Sequence, residues 1–263
     1  MAKKPTKSDR RAVIDELRKK QRSAERTRGL VIIAVCVVIA LVIVGAAAAR
    51  PVIGALRMSK YNSEVLADVG KSPSAAGCQK TVTLSTSTKN LPTGGTYYTT
   101  APPAFGPSAT AIASTTGAPM ATKYYTAKNR PDLATLVRNL SEGYTILWYD
   151  DTVGGSELDQ IRAIAKKFTG TTDFRDKFIA APWTAADAKA TAQKGKVVHT
   201  TFPAGTHIAF SHWSGSAQSQ TSATTQSTPQ QGFIQYCREV SGAALKQFML
   251  AHPYTSSPDP TTA

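Results

Sequence analysis

The stretch "LVRNLSEGYTILWYDD", Leu136 to Asp151, decides how the fold is read. Leu133, Leu136, Val137 and Leu140 fall at helical spacing and give one apolar face. Gly143 follows, and glycine readily takes the left-handed conformation that closes a helix. "YTILWY" is then rich in the aromatic and β-branched residues that suit a core strand. Arg138 and Glu142 stand four apart on the last turn of this helix. Glu142 lies at the helix C-terminus, where the macrodipole disfavours a negative charge, so the pair needs an account beyond helix propensity.

Outward from this stretch the chain divides sharply. Residues 1–29 carry eleven Lys/Arg against four Asp/Glu, +7 of the whole chain's +14. "LVIIAVCVVIALVIVGAAAA", residues 30–49, then contains no charged or strongly polar side chain. Twenty such residues at helical rise cover roughly 30 Å, the hydrocarbon thickness of a bilayer. A buried soluble helix is seldom apolar all round for that length. A cleaved signal peptide is the stronger rival, because "AAAA" offers small residues for cleavage. Its apolar region is usually shorter, and here the polar leader is unusually long. The expectation is an uncleaved anchor at 30–49, with the basic residues 1–29 kept in the cytoplasm and the rest of the chain outside. The leader fits attraction to anionic lipid headgroups better than binding to nucleic acid.

The cysteines suit that topology. Cys36 is an apolar filler inside the expected span, whereas Cys78 and Cys237 fall in the outer part, where disulfides persist. Two cysteines allow one intramolecular pairing, and the rival reading is two unpaired buried thiols.

The expected organisation is a stalk over 50–77, one domain over 78–254 and a disordered tail over 255–263. "KTVTLST" and "GTYYTTAPP" read as strands. "SELDQIRAIAKKFTG" reads as a helix capped by Ser156, with Asp159 three residues on and Gly170 as its stop. "FIAAPW" and "THIAFSHW" read as strands, and "TAADAKATAQKG" as a short polar helix. Residues 214–231 are low in complexity and read as a mobile loop. "GFIQYCREVSGAALKQFML" reads as a final helix with Phe233, Cys237, Val240, Ala244 and Phe248 on one face. Strands interleaved with about three helices imply one compact extracytoplasmic α/β (or α+β) domain with a mixed sheet.

Motifs for chemistry are few. No phosphate-binding glycine loop, Gly-x-Ser-x-Gly elbow or Cys-x-x-Cys pair is present. His199 and His252 read as solvated residues beside loop or helix ends. His207 and His212 are five apart on one expected strand, so they point to opposite faces and should not share a metal. Asp150 and Asp151 read as turn residues. No catalytic residue, metal ligand or cofactor is expected.

The blocks "APPAFGP", "PMATKYYTAKNRPDLATLVRNLSEGYTILWYDD", "RDKFIAAPW", "THIAFSHW" and "QYCREVSGAALKQFM", with the basic leader and apolar run, carry a resemblance. They look like the membrane-anchored bacterial family called domain of unknown function 3105, common in actinobacteria. In that family the matching blocks carry histidines, one in the loop and two at i and i+4 on the helix, a spacing suited to a metal or acid–base site. The resemblance maps them to Ser108, Arg138 and Glu142, with an intervening Glu at Ser141, so the site is degenerate here. It therefore implies a non-enzymatic scaffold or accessory subunit in an envelope membrane complex, with the bilayer and other membrane proteins as partners and no nucleic acid. The alternative is a metal-handling, copper-related protein using other ligands. Arg138 and Glu142 can pair across one turn, with Ser108 and Ser141 bonded nearby, keeping the elements together without a metal.

Overall fold

The computed structural model describes residues 31–45, 53–86, 98, 100–106, 108, 122–170, 173–191, 201–215 and 230–260. It divides the chain into two units, Met1–Ala55 and Leu56–Ala263.

In the first unit residues 31–45 are helical, and the large apolar side chains along them are half to two-thirds exposed. No helix among the described residues is long and apolar enough to cross a membrane. The remainder of the apolar run 30–49 lies outside the described residues.

The second unit is a mixed α/β domain. Its strands are β1 (Val82–Thr86), β2 (Thr145–Tyr149), β3 (Phe178–Pro182), β4 (Ile208–Ser214) and β5 (Gln230–Cys237). They form one sheet in the order β1-β5-β4-β2-β3. Only β2 and β3 run parallel; the other neighbours are antiparallel. Its helices include α1 (Leu133–Ser141), α2 (Gly155–Lys167), α3 (Ala185–Thr191) and α4 (Gly242–Ala251), and residues 56–63 are helical as well. Because β2 and β3 are parallel neighbours, a crossover must join them, and α2 provides it.

Strand alternation divides the core in two. Ile146 and Trp148 of β2 join Leu136, Val137 and Leu140 of α1 in one cluster. Leu147 and Tyr149 join Ile161 and Ile164 of α2 and Phe248 of α4 in the other. Both faces of the sheet are therefore covered, and β2 is buried along its whole length. A strand buried on both faces reads as a continuous apolar run, as "YTILWY" does.

Leu136–Asp151 folds as its pattern requires. Asp132 caps α1 by accepting the Thr135 N–H at 2.7 Å. Gly143 has φ +94°, and a Cβ there would meet the Tyr254 carbonyl oxygen at 2.9 Å. Glycine is needed at that position on both counts.

Several expectations are corrected. "GFIQYCREVSGAALKQFML" is not one helix but β5 followed by α4. Phe233 and Cys237 are four apart, which mimics a helical stripe, yet they are also an even number apart and share one face of a strand. Ile234 and Tyr236 fill the opposite face. Burial alternates along the middle of β5, with Ile234 and Tyr236 buried and Phe233 and Gln235 half-buried, but apolar Phe233 on the more open face hides that alternation in the sequence. The cap that starts the true helix is Ser241, which accepts the Ala244 N–H at 3.1 Å. At the start of α2 the N-cap is Gly154 rather than Ser156, and it makes no side-chain bond. Asp159 bonds Arg162 instead.

Residues 56–77, expected to form a free stalk, belong in large part to the domain. Arg57 approaches Asp159 at 3.9 Å, and the Lys167 ammonium donates to the Tyr61 carbonyl at 3.1 Å. Val69 is fully buried, and Gly70 bridges to Ser241. Ser214, Gln230 and Gln231 of the expected loop 214–231 are strand residues; 216–229 lie outside the described residues. Tyr98 and 100–103 of the expected strand "GTYYTTAPP" are not strand; the rest lies outside the described residues. In the segment after Tyr254, expected to be disordered over 255–263, Ser257 is fully buried and the Pro260 carbonyl accepts from Lys177; 261–263 lie outside the described residues.

Candidate functional site

α1 brings Arg138, Ser141 and Glu142 to its C-terminal end, against the chain's own C-terminal segment. The Arg138 guanidinium contacts a Glu142 carboxylate oxygen at 2.7 Å and an Asp259 carboxylate oxygen at 3.0 Å. The Glu142 carboxylate is buried, with 5% side-chain exposure, while Asp259 is much more open. The Asp259 N–H donates to the Ser141 carbonyl at 2.8 Å. The Ser141 hydroxyl turns back into its own helix and donates to the Arg138 carbonyl at 2.8 Å. Ser108 is exposed and forms no part of this network among the described residues. Of the four positions the resemblance singles out, three converge and one does not.

Beneath this network lies a cation that the sequence does not mark. Lys177 immediately precedes β3 and is almost fully buried. Its ammonium donates to the Glu142 carbonyl at 2.7 Å and the Pro260 carbonyl at 3.0 Å, and lies 4.8 Å from the centroid of the Phe174 ring. Burial lowers its pKa, against the opposing field of Glu142. Lys123 donates to the Asp176 carbonyl at 3.0 Å. Burial lowers its pKa to about 8, with Asp176 opposing and Lys177 adding to the shift. The Tyr144 ring centroid is 5.6 Å from the Lys177 ammonium and 5.9 Å from that of Lys123. Burial, then Glu142, raises the pKa of its hydroxyl.

Chemically this is a latch. The two carboxylates engage the guanidinium, and each ammonium is bonded to backbone carbonyl oxygen. The negative charge at the end of α1 thus has a specific partner on the same helix. Replacing Glu142 by Gln should lower stability by about 2 kcal/mol, the scale of a partly buried hydrogen bond to a charged group. Urea unfolding of the full chain measures this; a change below about 0.5 kcal/mol would mean that the pair is effectively solvated.

A second polar group lies at the C-terminal end of β2. His207 Nδ1 is 2.8 Å from an Asp150 carboxylate oxygen and 2.9 Å from the Thr152 hydroxyl. Asp150 is a turn residue, as expected, since it accepts the Thr152 N–H at 3.0 Å. Its contact with His207 bridges 57 residues of sequence, which local pattern cannot reveal. His252, expected to be solvated, stacks on Phe233 with ring centroids 3.9 Å apart and packs against Phe248. His212 is fully buried, its Nε2 within 3.3 Å of the Ser256 and Ser257 hydroxyls. His199 lies outside the described residues. Among the described residues no group of three His, Cys, Asp or Glu is placed to hold a metal ion.

The fold and latch define a disulfide-bonded mixed α/β domain with Cys78 joined to Cys237. No family model matches the chain, and no curated protein or solved structure matches it.

Proposed function

We propose that this chain is a single-pass membrane protein, N-terminus cytoplasmic, whose extracytoplasmic α/β domain is a non-catalytic scaffold or accessory subunit of a cell-envelope complex. The observation that carries the reading is the run of apolar side chains at 30–49, exposed wherever described, directly behind a leader of charge +7. Exposure of that many contiguous aliphatic side chains to water is unfavourable, and a bilayer removes the cost. The Cys78–Cys237 disulfide agrees with an oxidising compartment. The latch supports a non-catalytic role, because Arg138 and Glu142 are engaged in holding α1 to the C-terminal segment. On this reading the chain is a degenerate member of the domain of unknown function 3105 family.

Alkaline carbonate extraction followed by protease treatment of intact spheroplasts tests the topology. The full chain should stay in the membrane pellet, with the domain digested from outside and the leader protected. Release by carbonate would overturn the anchor. Native electrophoresis after mild extraction should place the chain in a larger assembly, and migration as a lone monomer would overturn the accessory role.

A further inference from the structure

A cleft of about 450 Å³ opens within the second unit, between the turn at Phe174–Asp176 and the C-terminal end of α4. That volume lies within the usual range for small-molecule sites. Its apolar lining includes Leu66, Phe168, Met249, Leu250 and Tyr254. Leu250 is 73% exposed at the mouth. The charged lining is strongly one-sided, with Arg175, Lys177 and Lys246 against a single acid, Asp176. Lys177 is held in the wall by its carbonyl partners, but the exposed side chains of Arg175 and Lys246 have no ion-pair partner among the described residues. His252 also lines the cleft; burial lowers its pKa, so it offers a neutral ring.

We infer that this cleft binds a small amphiphilic anion, its apolar body on Leu66, Met249 and Leu250 and its carboxylate or phosphate head on Arg175 and Lys246. Several observations converge on this ligand class. An apolar lining favours an alkyl or aryl body over a sugar or nucleotide. A guanidinium with its donors free matches the planar fork of a carboxylate or the oxygens of a phosphate, and Lys246 adds a second point charge. A cationic amphiphile would face three positive side chains. The inference goes beyond the membrane reading and stands whether or not the chain is anchored.

The test uses the full-length chain in whichever native fraction carries it, membrane pellet or supernatant. Three photoactivatable probes with the same short alkyl diazirine body are compared: a carboxylate, a phosphate monoester and a quaternary ammonium. Mass spectrometry then maps the labelled peptides. The carboxylate, the phosphate or both should label peptides containing Leu66 and Met249–Leu250, and which anion does so identifies the head group. The ammonium probe should label them roughly tenfold less, and R175E/K246E should cut anion labelling by a similar factor, the loss of about 1.4 kcal/mol of binding. Leu250→Asp, also at an exposed position, should reduce labelling by every probe. The Cys78–Cys237 disulfide and the near-ultraviolet circular dichroism of each variant report that the fold is kept. Equal labelling by all three head groups, labelling unchanged in R175E/K246E, or no labelling at the cleft would overturn the inference.

Discussion

Replacing Cys78 and Cys237 together by Ala should lower the stability of the domain by about 5 kcal/mol, the chain-entropy value for a loop of this length. The bonded residues are 159 apart in sequence, so the cross-link restricts most of the unfolded domain. Cys237 is fully buried at the end of β5, and Cys78 packs against the same core cluster. Backbone contacts already bring the two segments together: the Gln79 N–H donates to the Tyr236 carbonyl at 2.8 Å and the Arg238 N–H to the Ala76 carbonyl at 2.9 Å. In the chain-entropy model the effect of the bond falls mainly on the unfolded state. Urea unfolding of the full chain with and without reductant measures the difference. The reduced wild type and the double variant should show closely similar midpoints, both well below that of the oxidised protein. Coincident midpoints for oxidised and reduced chains would contradict the expectation.

Acid should destabilise the domain through His212. Burial, reinforced by neighbouring His252, lowers the His212 pKa from 6.5 to about 3. Below pH 6.5 the unfolded chain takes up a proton at this position that the folded chain refuses. The stability linked to neutral His212 is therefore fully present above pH 6.5 and is lost as pH falls toward 3. At about 1.4 kcal/mol per pH unit, lowering the pH from 6.5 to 4 should remove about 3 kcal/mol on this account. Burial shifts His252 in the same direction. His212 Nε2 lies 3.3 Å from the Ser256 and Ser257 hydroxyls, so placing a charge on this buried ring should loosen the C-terminal segment first. Unfolding measured from pH 7 to pH 4 should show this slope in the wild type and a shallower one in His212→Gln. Equal slopes would remove His212 from the account.

The local elements were largely legible in the sequence. The four leucine and valine positions of α1, Gly143 and the aromatic strand specify one another within a short stretch, and each local preference agrees with the fold. β5 resembles a helix in the sequence because Phe233, on its half-buried face, is as apolar as Ile234 on the buried one, so polarity does not follow the alternating burial that marks a strand. The latch was half legible. Arg138 and Glu142 are neighbours on one helical turn, so their spacing exposes the pair. Asp259 and Lys177 reach them only through the tertiary fold, and a single acid in a proline-rich tail or a single lysine before a strand has no periodic signature. The His207–Asp150 contact was hidden for the same reason.

The pairing of β1 with β5 has a consequence for the order of events during synthesis. Val82 pairs with Ile234 and Thr86 with Gln230, so among the described residues the first strand of the sheet is joined only by the last. At usual rates of translation, roughly seven to thirty seconds separate the emergence of the two strands. No vectorial route can finish this sheet. β2, α2 and β3 can assemble as soon as they emerge, since their contacts are close in sequence, while β1 must remain without its partner until nearly the whole chain has been made. The architecture therefore has high contact order at the β1 edge, and completion of the sheet follows synthesis rather than accompanying it.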